Sequence, residues 1–540
     1  MVRSRIVFIL ACFFISSNSW AVVNRYVVFF KDKSGTIYSV LSPQVFLSQR
    51  AIDRRIKHGI PISEVDFPIN QSYFDGVKST GAETYFQSRW MNALLIQCDD
   101  SLLASIEALS YVDHIVFVAP NSKLLINGRK KENFQVNDSK GSELTDIQLQ
   151  QVGLDQMHLD GFRGEGILIA IFDDGFPGVD ISVPFQPIFS EGRIDLVTSK
   201  DFVYNSSNVF QYDAHGTEVF SVIAAYQPGT FTGGAYKANY QLYVTEDVAT
   251  EYRIEEYNWL FAAERADSSG VDIINSSIGY FDFDDASMNY SKADMNGETT
   301  IISKAAQMAA DKGMVIVVAA GNEGGNTWQI ISAPADAKDV LAIANVNSMS
   351  IRAASSSIGP SADGRIKPDV AALGIGTRVI TPSGSLGSAN GTSLSAPLIT
   401  SLSAGLWQRD FTLTNKEVMN SIKMSASQYT NPDNFLGYGI PNYRGIVSSI
   451  EHESPQNVFD VYPNPIVSDS FFVKLIEPNQ ITKCRIQLLS TNGQLKYDEE
   501  FSISNTNQTY SVGVARLSSG LYFMRIYWNN KIYTYKLVKI

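Results

Sequence analysis

The chain has 540 residues, of which 44% are hydrophobic and 18% are charged, and its formal net charge is −12. This length allows about three to four domains, and the hydrophobic content excludes an intrinsically disordered chain. Nucleic acid is not expected as a partner, because binding to phosphates requires a concentrated cationic face and the longest basic run is Arg129-Lys130-Lys131.

The amino terminus has the pattern of an export signal. Two arginines precede an apolar run over residues 6–15, and Ala21 ends a small-residue motif of the kind that a signal peptidase reads. We therefore expect a signal peptide over residues 1–21. A membrane anchor is disfavoured because this apolar run is too short to cross about 30 Å of hydrocarbon as a helix. Lipidation at Cys12 is disfavoured because Cys12 lies in the middle of the apolar run.

Residues 22–120 are predicted to form a small α+β unit. Its predicted strands cover residues 26–30, 90–97 and 114–118, and its predicted helices cover residues 48–57, which are basic, and residues 102–109. Residues 121–141 are polar and have almost no apolar periodicity, so we predict an exposed linker that contains a processing site.

Residues 142–450 alternate short apolar runs with helical segments, which is typical of a parallel sheet buried on both faces. The predicted strands cover residues 167–172, 240–245, 271–277, 314–320 and 340–346, and the predicted helices cover residues 216–226, 255–266, 300–312 and 392–407. We predict a doubly wound, mostly parallel α/β domain. Ligands bind at the carboxyl ends of the strands in such sheets, so the polar residues that follow these strands are the candidates for a site.

Residues 455–540 are predicted to form a small β-sandwich. Short strands with alternating apolar residues are predicted over residues 459–461, 471–475, 484–489, 521–528 and 531–538. Turn signals lie between them at Asn492-Gly493 and Asn529-Asn530.

Catalysis by a bound metal is not expected. No two of the five histidines lie at helical spacing, so a motif such as H-E-x-x-H is absent. The three cysteines are too few and too widely spaced for a thiolate metal site. Cys12 lies in the predicted signal peptide, and Cys98 and Cys484 lie in units that we expect processing to separate, so no intramolecular disulfide is expected in the mature chain.

Four side chains in the α/β domain form a possible catalytic set. Asp173 follows a predicted strand, where a carboxylate can orient an imidazole, and His215 begins a predicted helix. Ser393 begins another helix, whose unpaired backbone N–H groups favour a developing negative charge. Asn322 follows a strand and offers an amide donor for an oxyanion. Each residue alone is typical of a cap or a turn, but together they supply an acid, a base, an oxyanion donor and a nucleophile.

The segments that carry these residues resemble the four motifs of the subtilisin-like serine proteases, the subtilases. The segments are Ile169 to Gly175, His215-Gly216-Thr217, Ala319-Ala320-Gly321-Asn322 and Gly391-Thr392-Ser393-x-x-x-Pro397. The resemblance implies a secreted serine endopeptidase that works through an acyl-enzyme intermediate and needs no cofactor for its chemistry. In that case Asp173 orients His215, His215 takes the proton of Ser393, and Asn322 holds the oxyanion.

The same resemblance assigns substrate binding to two segments. The residues concerned are Ser276, Ser277, Ile278 and Gly279 in the first segment, and Ala320 and Gly321 in the second. Tyr280 and Glu323 follow these segments closely, and we hypothesise that they shape the pocket for the residue before the cleaved bond, with Glu323 favouring Lys or Arg.

Two features depart from the motif pattern or add to it. Asp174 stands after the predicted catalytic acid, where the family usually has Ser or Thr, and we expect it to be a solvated turn residue. An acidic insert over residues 281–298 is a possible structural calcium site, as many subtilases bind this ion. A solvated loop is favoured because the complete D-x-[DN]-x-[DN]-G pattern is absent.

The flanking units fit a secreted zymogen. Residues 22–120 resemble the ferredoxin-like prodomains of the family, which assist folding and then inhibit the enzyme. The tail, which starts near Tyr462-Pro463-Asn464-Pro465, is similar to the sorting domains that type IX secretion recognises in Gram-negative bacteria. The resemblance implies passage through the periplasm to the outer-membrane surface or the medium, with protein or peptide substrates and a monomeric enzyme.

Three alternatives remain open from the sequence. A catalytically inactive surface-binding protein on the same scaffold is disfavoured because all four motif residues are present. An acyl hydrolase acting on esters would use the same triad. The tail could also be a carbohydrate- or protein-binding module.

Overall fold

The computed structural model describes residues 23–120, 145–446, 459–476, 482–491, 494–503, 509–528 and 531–540. The predicted signal peptide, the predicted linker and the predicted turns at Asn492-Gly493 and Asn529-Asn530 lie outside the described residues. Within the described ranges, no helix combines the length and the apolar character that crossing a bilayer requires.

The amino-terminal unit is an antiparallel four-stranded sheet with two helices between its first and second strands and one helix between its third and fourth strands. Its strands are β1 (Val23–Phe30), β2 (Glu83–Ser88), β3 (Ala93–Asp99) and β4 (Val112–Ala119), and its helices are α1 (Gln49–His58), α2 (Gln71–Ser79) and α3 (Leu103–Glu107). The sheet order β2-β3-β1-β4 is that of a ferredoxin-like fold, as predicted. The sequence prediction missed α2 and β2.

The second unit is an α/β domain. Its strands are β5 (Leu168–Asp173), β6 (Lys200–Asp201), β7 (Tyr226–Gln227), β8 (Phe231–Thr232), β9 (Asn239–Val244), β10 (Ile273–Ser276), β11 (Val315–Ala319), β12 (Leu341–Val346), β13 (Val370–Leu373), β14 (Thr377–Ile380) and β15 (Leu386–Ala389). Its helices are α4 (Asp146–Gln151), α5 (Leu154–Leu159), α6 (Gln186–Ser190), α7 (His215–Ala224), α8 (Ile254–Ser269), α9 (Ile301–Asp311), α10 (Thr392–Arg409) and α11 (Asn415–Met424).

Seven of these strands form one parallel sheet in the order β13-β12-β11-β10-β5-β9-β6. Alternate side chains of the central strand β5 enter two different cores, because successive residues of a strand point to opposite faces. Ile169 and Ile171 pack with α7 and α10, whereas Ala170 and Phe172 pack with α8 and α9. Helices therefore cover both faces, and the prediction of a doubly wound parallel sheet is confirmed.

The strand order also fixes where a ligand can bind. After β5, the chain first forms the edge strand β6, then adds β9 between β6 and β5, and finally places β10 on the other side of β5. A crevice forms at the carboxyl ends of the strands where the order reverses in this way. That point lies between Asp173 at the end of β5 and Ser276 at the end of β10.

The tail contains two antiparallel sheets packed over one core. Its strands are β16 (Phe459–Tyr462), β17 (Ser470–Leu475), β18 (Thr482–Ser490), β19 (Leu495–Ile503), β20 (Thr509–Gly513), β21 (Gly520–Trp528) and β22 (Lys531–Lys539). One sheet has the order β16-β17-β20 and the other β19-β18-β21-β22. The predicted sandwich is confirmed, although the prediction missed β19 and β20. Cys484 is free and buried in this core, and Cys98 is free and buried in the amino-terminal unit.

The amino-terminal unit packs against α8 of the α/β domain through buried charges. The side chain of Asp267 on α8 accepts hydrogen bonds from the guanidinium groups of Arg54, Arg55 and Arg89. One turn earlier on α8, the Glu264 carboxylate accepts the backbone N–H groups of Arg89 (2.8 Å) and Trp90 (3.2 Å). These side chains are buried at the contact, and the hydrogen bonds between them offset part of the free-energy cost of removing their charges from water.

Candidate active site

The four predicted catalytic side chains lie at the carboxyl edge of the seven-stranded sheet. Asp173 is the last residue of β5, and Asn322 lies a few residues after β11. His215 is the first residue of α7, and Ser393 is the second residue of α10. Asp173 and Asn322 thus lie at or just after strand ends, and His215 and Ser393 lie at the starts of two helices that pack on the same face of the sheet.

Asp173 and His215 form a buried hydrogen bond. Nδ1 of His215 lies 2.7 Å from Oδ1 of Asp173, and Asp173 is 0% exposed. Burial alone would raise the pKa of Asp173, but the attraction of His215 and the hydrogen bonds to the carboxylate outweigh it and hold the pKa below its ordinary value. An ionised carboxylate bonded to Nδ1 leaves Nε2 of the imidazole as the nitrogen available to accept a proton.

Gly216 allows the first turn of α7 to approach β5. A Cβ atom at this position would lie 2.2 Å from the carbonyl oxygen of Gly175 and 2.9 Å from Cβ of Asp173. Real Cβ contacts are not this short, so only glycine permits α7 to begin where it does. The short distance between Asp173 and His215 depends on this close approach.

Ser393 lies in the first turn of α10, where backbone N–H groups lack helical partners. Its side chain is 3% exposed, and within the described residues its Oγ makes no hydrogen bond. Its carbonyl oxygen accepts a hydrogen bond of 2.9 Å from Oγ of Ser277. Contacts between a nucleophile and its base are often loose before substrate binds and tighten in the complex.

The side-chain amide of Asn322 has a defined orientation. Its Oδ1 accepts the backbone N–H of Thr392 at 3.0 Å and the Thr392 hydroxyl at 3.2 Å. Because a backbone N–H can only donate, the atom facing it must be the amide oxygen, which leaves Nδ2 as the free donor. Thr392 is a site residue that the sequence analysis quoted only as part of a motif.

The amide of Asn322 and the hydroxyl of Ser393 border the same small space. A Cβ atom placed on Gly391 would lie 2.9 Å from Oγ of Ser393 and 3.6 Å from Nδ2 of Asn322. Glycine at this position, with a φ of +147°, keeps that space open. An oxygen of a reacting carbonyl next to Ser393 would therefore have an amide N–H within reach.

The two predicted substrate-binding segments follow neighbouring strands. Ser276 ends β10, and Ser277, Ile278 and Gly279 follow it, while Ala320 and Gly321 follow β11. Ser276 is buried and accepts a hydrogen bond of 3.0 Å from Nε1 of Trp259. Its side chain faces the core, so only its backbone is available to a ligand.

Ser332 lies between these two segments and was missed by the sequence analysis. A Cβ atom on Gly279 would lie 2.4 Å from Oγ of Ser332, and one on Gly321 would lie 2.9 Å from the same oxygen. The position has no motif and follows no regular element, so the sequence offers no signal for it. The hydroxyl of Ser332 narrows the space between the segments.

Contrary to the hypothesis that Tyr280 shapes the pocket for the residue before the cleaved bond, its side chain is buried in the core. Tyr280 is 0% exposed, and its hydroxyl donates a hydrogen bond of 3.2 Å to Oε2 of Glu255. Its ring stacks on Phe283 inside the core. Glu323, by contrast, is half-buried, and its carboxylate accepts a hydrogen bond from Asn326 in its own loop.

The expectation that Asp174 is a solvated turn residue is also wrong. The side chain is 1% exposed, and its Oδ1 accepts the backbone N–H of Gly216 at 3.2 Å. The reason is the packing of α7 over the end of β5, which covers both carboxylates. A second acid therefore lies beside the predicted catalytic acid.

The acidic insert does not gather its carboxylates around one point. Asp285 and Asp294 accept hydrogen bonds from Ser287 and Ser291 and so cap two short 3₁₀ helices. Oδ2 of Asp284 accepts the backbone N–H of Glu251 at 3.0 Å. Asp285 and Asp294 thus bond the backbone of their own loop, and Asp284 bonds the backbone of a distant segment.

Comparisons with known proteins match each of the three units. A family model described as the subtilase family matches residues 164–439, slightly more than half of the chain. A model of the peptidase S8 propeptide domain of Bacteroidota matches residues 25–136, and a secretion system C-terminal sorting domain matches residues 460–540. The last match indicates that the chain is secreted.

Two individual relatives are subtilisins, in agreement with the match to the subtilase family model. A subtilisin from Bacillus pumilus is 27% identical over 301 residues, which is 54% of this chain and 95% of the relative. Subtilisin NAT from Bacillus subtilis subsp. natto is 27% identical over 54% of this chain and 69% of its own length.

A solved structure shares the fold. The epidermin leader peptide processing serine protease from Staphylococcus aureus superposes with a TM-score of 0.54 and 14% identity, over 79% of this chain and 99% of that protein. At this identity the likeness is one of fold, whereas the family match is one of sequence. The chain therefore belongs to the subtilase family of serine endopeptidases.

Proposed function

We propose that Asp173, His215 and Ser393 form the catalytic triad of this endopeptidase and that Asn322 supplies the oxyanion hole. The observation that carries the proposal is the 2.7 Å bond between Asp173 and His215 at the sheet edge where α10 also presents Ser393. The same edge holds an amide donor whose orientation Thr392 fixes.

In the first half of the reaction, Oγ of Ser393 attacks the carbonyl carbon of a peptide bond and Nε2 of His215 takes the hydroxyl proton. The carbonyl oxygen becomes an oxyanion, which accepts hydrogen bonds from Nδ2 of Asn322 and the backbone N–H of Ser393. Asp173 stays ionised and stabilises the imidazolium.

In the second half, the C–N bond breaks and His215 gives its proton to the leaving amine. An ester between Ser393 and the acyl part of the substrate remains. Water then attacks this acyl-enzyme with His215 as the base, and the carboxylic acid product and the free serine result. Every step uses side chains and backbone of this chain alone.

The proposal is tested with a fluorophosphonate probe, which labels a serine that is activated by a neighbouring base. We expect the processed protein to be labelled and to cleave peptides, and we expect Ser393→Ala to do neither. A protein that folds and processes normally but resists the probe would be an inactive member of the family. Labelling with hydrolysis of esters alone would identify an acyl hydrolase.

We propose further that the chain is a zymogen in which residues 22–120 are an inhibitory prodomain, residues 121–141 carry the processing site and residues 142–450 are the catalytic domain. The matched propeptide model supports this division. Amino-terminal sequencing of the mature protein tests it. Self-processing requires that the new terminus is absent from Ser393→Ala, and the same terminus on both proteins would assign the cut to another protease.

We propose that a signal peptide over residues 1–21 directs the chain to the periplasm. Residues 455–540 are then recognised by a type IX secretion machinery. The matched sorting domain supports this route. Deletion of residues 459–540 should leave active enzyme trapped in the periplasm. Normal release of the truncated protein would instead favour a binding module. Fractionation of the intact protein distinguishes surface attachment from release.

The preference for the residue before the cleaved bond remains a proposal that rests on Glu323. Its half-buried carboxylate lies just after Gly321 and Asn322, which supports a preference for Lys or Arg. A peptide library should show this preference for the wild type and lose it for Glu323→Gln. An unchanged profile would remove Glu323 from the pocket.

A further inference from the structure

Asp174 is a buried carboxyl group that the triad alone does not require. Its Oδ1 bonds the N–H of Gly216, the residue that follows His215, at 3.2 Å. Its own backbone N–H donates to Oδ1 of Asp173 at 3.0 Å, the same oxygen that faces His215. One side-chain atom of each of the three residues Asp173, Asp174 and His215 lies within 4.8 Å of the others.

Four carboxyl groups on two elements lie near His215. Asp173 and Asp174 come from the end of β5, and both are buried. On the side of α7, Asp213 is exposed and accepts the backbone N–H of His215 at 3.3 Å, and Glu218 is buried one turn along the helix. Burial raises the pKa of Glu218, and the attraction of His215 opposes that rise. Asp174 is therefore a buried acid that lies against both the backbone of α7 and the acid of the triad.

We propose that Asp174 is a positioning residue for His215, an inference that rests on the proposed function. Asp174 anchors the first turn of α7 through Gly216. It also adds a second buried negative charge beside the imidazole. The anchor keeps the ring at bonding distance from Asp173. The charge favours the imidazolium that forms when Ser393 gives up its proton, because an opposite charge within about 4–6 Å stabilises the charged form.

The proposal predicts the sign of a pH effect. Activity rises with pH as the imidazolium of the free enzyme loses its proton. A second neighbouring carboxylate moves this rise to higher pH, so neutralising Asp174 must move it to lower pH. Because the acids and His215 interact closely, the midpoint belongs to the cluster and not to one group.

Two substitutions separate the anchor from the charge. Asp174→Asn keeps an oxygen that can accept the N–H of Gly216 but removes the charge, whereas Asp174→Ala removes both. Asp213→Asn removes a nearby exposed charge and keeps the cap oxygen, so it serves as the matched control. The rate of fluorophosphonate labelling of the processed enzyme is measured from about pH 4 to 9, together with kcat and KM for one peptide and the thermal unfolding of each variant.

We expect the labelling midpoint of Asp174→Asn to fall by about one pH unit or more, with a smaller shift in Asp213→Asn, whose charge lies in water. Asp174→Ala should show the same shift and lose about tenfold or more of the plateau rate, with KM nearly unchanged. A midpoint of Asp174→Asn that coincides with the wild type in a folded protein would overturn the proposal. Failure of the proposed function has a different signature, because then the wild type itself would not be labelled.

Discussion

At the scale of single residues, the oxyanion site is a small network in which Thr392 orients Asn322. Both the backbone N–H and the hydroxyl of Thr392 donate to Oδ1 of the amide. The hydroxyl of Thr392 in turn accepts the N–H of Gly321 at 3.3 Å. The donor Nδ2 is therefore fixed before a substrate arrives, and preorganised donors need no rearrangement when charge develops.

Replacing Asn322 with Ala should lower kcat by about 10²–10³ and leave KM nearly unchanged, because the amide acts on the oxyanion and not on the bound substrate. Steady-state kinetics on one peptide measure both constants. Thr392→Val keeps the backbone donor but removes the hydroxyl, so a smaller loss is expected. Thr392→Ser retains both donors and serves as the control. A kcat of Asn322→Ala equal to that of the wild type would show that the oxyanion is held elsewhere.

For the proposed site, the sequence predicted the positions of the residues in the fold better than it predicted how their neighbours are buried. Asp173, His215 and Ser393 lie at strand and helix ends that apolar runs mark clearly. Asp174 was misjudged because the residue after a strand becomes buried only if another element covers it, as α7 does here. Tyr280 was misjudged because its burial depends on contacts with Phe283 and with Glu255 of α8, which leave no local pattern in the sequence.

At the scale of elements, α1 and α8 form an interface built on arginines. The sequence predicted a basic helix over residues 48–57, and Ser48 and Gly59 do cap α1 at its two ends. It gave no sign that Arg54 and Arg55 are buried, because their partner Asp267 lies more than 200 residues further along the chain. Asp267 accepts hydrogen bonds from both guanidinium groups, and all three side chains are buried.

Asp267→Ala should destabilise the contact between the two units by about 3–5 kcal/mol, because it leaves buried guanidinium groups without their carboxylate. Denaturant unfolding of Ser393→Ala protein, in which the units stay joined, measures the change. Asp53→Ala on the exposed face of α1 is the control, and a change within about 0.5 kcal/mol is expected there. Equal effects of the two substitutions would mean that the arginine cluster contributes nothing to the interface.

The same interface should become less stable at low pH, because the carboxylate of Asp66 then takes up a proton. Burial alone would raise the pKa of Asp66, but ion pairs with Arg55 (3.1 Å) and Lys312 (2.8 Å) outweigh it and lower the pKa below its ordinary value. A carboxylate with a lowered pKa stabilises the folded protein above the unfolded pKa of about 3.9, and that contribution is lost as pH falls through the folded value.

Comparing wild-type and Asp66→Asn stability between about pH 7 and pH 3 tests this. The variant should be less stable at neutral pH, and the difference should shrink below about pH 4 as the wild-type carboxyl takes up a proton. Both proteins are measured in the Ser393→Ala background so that self-digestion does not interfere. A difference that stays constant or grows in acid would contradict the proposed ion pairs.

At the scale of the whole molecule, one cluster of buried residues joins the amino-terminal unit to the α/β domain, whereas the tail has a core of its own. Val27, Trp90 and Leu95 of the first unit belong to the same cluster of buried residues as Trp259 and Tyr257 of α8. Among the described residues, the tail core consists only of residues of the tail itself. The sequence predicted the three units but not which of them pack together. An apolar pattern shows that a face is buried, but it does not show which other element covers that face.

A cut in the linker alone should therefore not release the amino-terminal unit. The shared apolar core and the arginine cluster both persist after the chain is broken between residues 121 and 141, and only the covalent tether is lost. Size-exclusion chromatography of Ser393→Ala protein, nicked in this segment by an added protease, should show both fragments in one peak at neutral pH. The same treatment of the Ser393→Ala, Asp267→Ala double variant should yield separate peaks, and Asp53→Ala in place of Asp267→Ala should not.

Separation of the fragments in the parent protein would mean that the interface depends on the tether, and activation would then need only a single cut. A single peak instead requires a second event, such as digestion of the bound unit, before the enzyme becomes free.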